Sequence, residues 1–326
     1  MSDRTVSDLG EHALISRITR RFAKPSWVIV GPGDDAAVIQ PERGTFDVLT
    51  TDAIVEGVHF DRRFVPPDAI GHRALAVNLS DLAAMGAQPR AALLSFVLPD
   101  QLEVADVDAM VEGLVALADT HRVAVVGGNI TRSPGPLMID VTAIGSVRPR
   151  RVLTRAGARP GDEVYVTGTL GGSAAGLALL RSGADFSGPP DRGPVGSAPL
   201  QDKYLRPQPR VRMGMLLGRN RAASACIDLS DGLADGLRQI AAASGVGIAV
   251  EEASIPSVGG AGAFHSDDYE LLFTSRPAWK GRLRAVRSQA GDLPITRIGV
   301  VTKGGGVVLR SASGGRDLPA GYEHFR

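Results

Sequence analysis

Short apolar runs alternate with longer helical patterns throughout the first half of this chain, and that alternation limits the fold more than any other feature. TFDVLTTDAIV, AALLSFVL, RVAVVGG and LMIDVTAIGSV read as strands, with helices over 68–85 and 102–120 between them. Strand and helix signals in this order predict an α/β arrangement. After VRPRRVLTRAGARPGD the pattern restarts: EVYVTG, SACIDLS, GIAVEE, DYELLFT, ITRIGVVT and GVVLR read as strands. LGGSAAGLALL opens a helix, and further helices are predicted over 209–217, 231–243 and 277–289, with a Gly/Pro-rich loop over 183–199. We place a boundary near Pro149, giving domains 1–149 and 150–326, each long enough for its own core.

The helix over 68–85 contains an oddity. Ile70, Ala74, Val77, Asp81 and Ala84 follow 4,3,4,3 spacing, which puts a carboxylate on an apolar stripe. An unpartnered buried charge costs several kcal/mol, about 2–7 even for a neutral polar group, so Asp81 needs a cation, donors or a cavity.

Charge balance excludes some answers. Lys and Arg total 36 against 35 Asp and Glu, a formal charge of +1, so no nucleic-acid or membrane partner is expected and any anion must be held locally. Cys226 is the sole cysteine, which rules out an internal disulfide. The first residues lack the apolar centre of a signal peptide, and no run of about 18 apolar residues exists to span a bilayer. A cytoplasmic protein is expected.

Several motifs place carboxylates at the ends or interiors of apolar elements. GPGDDAAV carries Asp34 and Asp35 after a Gly-Pro-Gly turn, although Gly-Asp is also ordinary turn chemistry. TTDAIVEGVHF interrupts a strand with Asp52, a residue disfavoured there, and continues to His59. IDLSDGL brackets Ser230 with Asp228 and Asp231; an N-cap by Ser230 or Asp231 explains one of them and not Asp228. VVGGNITR and VTGTLGGSAAG are Gly-rich after apolar strands, where amides can face a phosphate or simply make tight turns. Together Asp35, Asp52, Asp81 and Asp228 form an all-oxygen set that would repel itself without cations. Magnesium, which takes one or two carboxylates and leans on substrate phosphates, suits it. Nucleotide chemistry is therefore expected, yet none of Lys24, Lys203, Lys280 and Lys303 follows a glycine and no G-x-G-x-x-G occurs. That leaves phosphate enzymes built on aspartates instead of a P-loop lysine.

GEHALISRI, GDDAAV, TTDAIVEGVHF, RALAVNLSDLAAMGA, GGNITR, VLTRAGARPGD, YVTGTLGGSAAGL, DLSDGL, DYELLF and GYEHF, in this order, resemble the thiamine-monophosphate kinases, within the superfamily of aminoimidazole ribonucleotide synthetase and selenophosphate synthetase. The resemblance covers almost the whole chain. It implies two α/β domains, with the N-terminal one forming a homodimer core and the main ATP site. It also implies transfer of the γ-phosphoryl of ATP onto thiamine monophosphate, with several Mg2+ ions. On matching motifs it implies magnesium positions at Asp35, Thr50, Thr51, Asp52, Asp81, Asn129, Asp228 and Asp231, with Asp81 touching more than one ion. ATP-phosphate positions fall at Gly128, Asn129, Arg155 and Ser230, and a thiamine-phosphate pocket at His59, Asp267 and Tyr322. Asp81, Asp52 and Arg155 would carry the reaction. Two departures stand out: Asn129 in GGNI where the family usually has the Asp of GGDT, and Asp267 where it usually has Glu. Relatives with other acceptors would normally need a cysteine near one terminus, and Cys226 is at neither. A non-catalytic, cation-stabilised regulatory module is the rival from a different class.

Overall fold

The computed structural model describes residues 5–182, 200–258, 260–311 and 314–319, so the 183–199 loop and Tyr322 lie outside the described residues. The chain divides into two compact units, Met1–Leu82 with Gln88–Val147 and Ala83–Ala87 with Arg148–Arg326.

The first unit runs α1 (Val6–Leu9), α2 (Glu11–Thr19), β1 (Val28–Val30), β2 (Val38–Ile39), β3 (Phe46–Val55) and α3 (Pro67–Ala84). It continues with β4 (Gln88–Pro99), α4 (Val104–His121), β5 (Ala124–Ser133) and β6 (Met138–Val147). Four strands form a sheet in the order β3-β6-β4-β5, parallel only where α4 returns β5 beside β4. Alternation sorts its two faces. In β6, Ile139, Val141 and Ala143 are buried, while Asp140, Thr142 and Ile144 on the opposite face are half-buried. α3 is covered almost all round, with Ile70, Leu75, Leu79 and Leu82 fully buried. It crosses α4 with no side chain at the contact: a Cβ on Gly71 would overlap the Met110 carbonyl, and one on Gly113 the Asp68 carbonyl. Only glycine permits backbones to approach so closely.

The second unit contains β7 (Glu163–Thr167), α5 (Gly172–Ser182), α6 (Leu200–Leu205), α7 (Val211–Asn220), β8 (Ala225–Asp228) and α8 (Leu233–Ser244). β9 (Gly247–Glu251), β10 (Leu271–Ser275), α9 (Lys280–Arg287), β11 (Ile295–Thr302), β12 (Val307–Ser311) and β13 (Gly314–Asp317) follow. Its seven strands are ordered β13-β12-β9-β11-β7-β10-β8, and only β9–β12 is parallel. The α/β expectation thus takes the mixed form, helices with largely antiparallel sheets. Val164, Val166, Ile227, Leu237, Ile248, Leu272 and Ile298 form one core, which explains why these strands read as unbroken apolar runs. Among the described residues no helix is long and apolar enough to cross a membrane.

Candidate active site

β3 carries three neighbouring polar residues, and the period of two in a strand separates them. Thr50 and Asp52 are half-buried on one face, where the Thr50 hydroxyl donates to the Asp81 carboxylate of α3. Asp81 is therefore half-buried and partnered, not a charge sealed in an apolar stripe. Asp52 lies on this covered face. Thr51 is exposed on the other face, where it donates to Asp140 (3.2 Å) and shares a hydrogen bond with Thr142 (3.1 Å). Side chains of Thr50 and Thr51 thus cannot serve one ion together. Just past β3, the His59 Nδ1 accepts from the Val55 amide at 3.1 Å, which fixes the ring and leaves the proton of neutral His59 on Nε2.

A cavity of about 700 Å³ opens between the less covered face of this sheet, α2 and the Gly31–Ala37 loop. Asp35, Gly128 and Asn129 line it, as do Asp34, Glu11 and Asp140. VVGGNITR is not a phosphate-cradling turn: it is strand β5, paired with β4 from Ala91 to Pro99. Gly128 is required by packing, since a Cβ there would overlap the Leu94 carbonyl. Ile15, Ile18, Phe22 and Phe96 supply apolar wall, while the charged lining is Glu11, Asp34, Asp35 and Asp140 without Lys, Arg or His. A polyanion enters such a cavity only with cations. The donors are all hard oxygens, the chemistry magnesium prefers. Among the described residues no three His, Cys, Asp or Glu side chains already converge on one point. That still fits an ion that keeps waters and takes phosphate oxygens for most of its shell.

In the second unit, Asp228 ends β8 and is 5% exposed; Ser230 is exposed and Asp231 half-buried in the loop that follows. The expected N-cap at Ser230 or Asp231 is corrected here: Gly232, at φ 88°, occupies that place with no side-chain cap, and a Cβ there would overlap the Phe264 carbonyl. The Leu229 amide donates to the Glu270 carbonyl (2.8 Å) and the Tyr269 amide to the Leu229 carbonyl (3.0 Å), clipping this loop to HSDDYE. Tyr269 sits in the left-handed region at φ 53°, a costly conformation that the two clips hold. Beside it Asp267 accepts from the Ser173 hydroxyl at 2.6 Å. Asp268 takes the amides of Gly171 (2.6 Å) and Ser173 (3.0 Å). Those amides belong to VTGTLGGSAAG, so the chain's own carboxylate fills the place where a phosphate was the alternative. Burial raises the Asp268 pKa, against the lowering effect of these two amides. Arg155 is exposed and donates to Gln239 of α8.

Sequence reasoning passed over Asp140 and Asp268. Asp140 had a signal in the alternation of IDVT, whereas Asp268 meets its amides across 95 to 97 residues and had none.

Cys226 is 2% exposed in β8, and burial, then the charge of Asp228, pushes its thiol well above the usual range. Such a thiol is a packing group. Cys226→Ser is expected to keep at least half of parental turnover while melting a few degrees earlier; loss of turnover in folded protein would assign the sulfur a chemical role.

The N-terminal domain of AIR synthase related protein matches residues 33–147, and the C-terminal domain matches 159–311. Thiamine-monophosphate kinase of Bacillus subtilis is 36% identical over 98% of this chain and 100% of its own length. A crystal structure of the thiamine-monophosphate kinase of Stenotrophomonas maltophilia is 38% identical, with a TM-score of 0.78 over 91% of this chain and 95% of that one. AaThiL complexed with AMPPCP and TMP is 31% identical, with a TM-score of 0.73 over 100% of both chains. The chain belongs to the thiamine-monophosphate kinases, within the AIR synthase related proteins.

Proposed function

We propose that this chain is a kinase that transfers the γ-phosphoryl group of ATP directly, in line, onto the phosphate of thiamine monophosphate, giving thiamine diphosphate and ADP. The observation that carries the reading is the carboxylate-lined cavity, without Lys, Arg or His in its wall, that holds Asp35, Gly128 and Asn129 in a chain of this family.

Residues 1–149 are assigned to ATP, magnesium and dimerisation, and 150–326 to the second domain. Asp35, Thr50, Thr51, Asp52, Asp81 and Asn129 in the first, and Asp228 and Asp231 in the second, would hold magnesium. Bound there, the ions supply neutralisation of the polyphosphate charge. Gly128, Asn129, Arg155 and Ser230 are assigned to the ATP phosphates. Here the Gly128 position brings bare backbone to the cavity, and Arg155 offers a fork of donors to phosphate oxygens. His59, Asp267 and Tyr322 are assigned to thiamine monophosphate, with Tyr322 stacking on the cationic thiazolium. A phosphate monoester with a second pKa of about 6 is a dianion near neutral pH, so the acceptor needs no general base. Positioning two polyanions and balancing their charge is then the whole catalytic task.

We further propose a homodimer through the β3 edge of the first sheet, where Phe46 is 56% exposed and Leu49 66%. Exposed apolar surface of this kind marks an interaction site. A reducing, cytoplasmic setting accords with the buried thiol of Cys226.

The test is a coupled ADP-release assay with thiamine monophosphate, thiamine and no acceptor, alongside light scattering of the same preparation. ADP and thiamine diphosphate should form in equal amounts with thiamine monophosphate alone, from a dimer. ATP turnover indifferent to that acceptor would defeat the kinase reading, and a monomer mass the dimer.

A further inference from the structure

We infer that Asp140 is a metal-facing residue of this reaction, holding a divalent cation together with Thr51 on the cavity face of the first sheet, in the row where Asn129 contributes no charge. The inference rests on the proposed magnesium-dependent kinase reading and names a residue outside its magnesium set.

Register carries the first step. Ser95 of β4 lies opposite Asn129 of β5 on one side and opposite Asp140 of β6 on the other, so the three make one row across the sheet. Strand spacing puts the outer two backbones about 10 Å apart. A hydrated ion lying over Ser95 spans that gap, and both side chains line the same cavity.

The second step is the separation of Thr50 from Thr51. Thr50 faces Asp81 across the covered side of the sheet, so an ion served by the Thr51 side chain is on the opposite side. The carboxylate it meets there is Asp140, whose Oδ1 accepts from Thr51 at 3.2 Å while Thr142 steadies the same hydroxyl at 3.1 Å. The cavity lining holds no Lys or Arg to neutralise Asp140. A half-buried aspartate in mid-strand, between the apolar Ile139 and Val141, is a disfavoured choice unless its charge is used.

A purely structural role is the competing account, in which Asp140 only receives the Thr51 hydrogen bond. Asn would preserve that bond, so Asp140→Asn isolates the charge. The experiment titrates Mn2+ by electron paramagnetic resonance in the presence of AMPPCP, using the parent, Asp140→Asn, Asp140→Ser and the double variant Asp140→Asn with Asn129→Asp. Melting temperatures verify folding, and either folded single variant suffices. Expected is a loss of about ten- to a hundredfold in Mn2+ affinity for one class of ion. The double variant, with its carboxylate restored at the other end of the row, should recover most of that loss. The Mg2+ concentration giving half-maximal turnover should rise by the same factor while KM for thiamine monophosphate stays put. Parental Mn2+ affinity in Asp140→Asn, or no recovery in the double variant, overturns the inference. A parent that binds Mn2+ through Asp140 but shows no acceptor-dependent turnover would defeat the kinase reading alone.

Discussion

Asp81→Asn is expected to lower thiamine-monophosphate-dependent turnover by about a hundredfold or more, while the protein melts within about 4 °C of the parent in the absence of divalent ions. Outer partners of a metal ligand already cost ten- to a hundredfold when removed, and Asp81 is assigned as a direct ligand of more than one ion. The fold should not notice the change. Asn has the same shape, its carbonyl accepts from Thr50 as the carboxylate does, and Asp81 is half-buried at the end of a helix whose core positions are elsewhere. Kinetics at saturating Mg2+ with a melt of the same sample read both halves. A variant that retains a third of parental activity, or one that unfolds 10 °C early, would remove Asp81 from the metal set.

The largest effect on stability is expected at Glu270. This carboxylate is 1% exposed and receives the Arg210 guanidinium as a fork, with the Nε contact at 2.7 Å, plus the Thr167 hydroxyl at 2.7 Å. Burial disfavours the Arg210 charge and Glu270 outweighs it, so the Arg210 pKa is raised. Glu270→Ala strands that cation and leaves Thr167 short of an acceptor, which should cost about 3–5 kcal/mol. For a unit of this size the midpoint should drop by about 6–20 °C. Replacing both charges, Glu270→Leu with Arg210→Met, should be much milder, because no orphaned charge remains. Thermal melts of the three variants decide it. A Glu270→Ala midpoint within 3 °C of the parent, or a double variant as damaged as the single, would show that the pair is not the anchor.

What could be read from the sequence was local. SACIDLS and GIAVEE announced buried strands because their apolar runs are uninterrupted, and the helix around Asp81 followed from its 4,3,4,3 spacing. Errors came where one string of letters serves two faces or two distant partners. Thr50, Thr51 and Asp52 are consecutive letters, yet the strand period sends Thr51 to the face away from Asp81. Glycine content in VVGGNITR suggested a loop, whereas Gly128 is small so that β5 can pass the Leu94 carbonyl. Capping of α5 by Asp268 and the tie from Arg210 to Glu270 join positions 95 and 60 residues apart, and no short-range pattern encodes either.

The bare crossing of Gly71 and Gly113 acts as a fulcrum, and α3 is the beam resting on it. Asp81 is ten residues farther along, about 15 Å by helix rise. A tilt of about 10° at the fulcrum would swing it through roughly 2.6 Å at that radius. Displacements of about 1 Å already cost a reaction about a hundredfold. A side chain at either glycine, neither of them assigned to any substrate, would therefore re-aim the carboxylate proposed as a metal ligand three turns away.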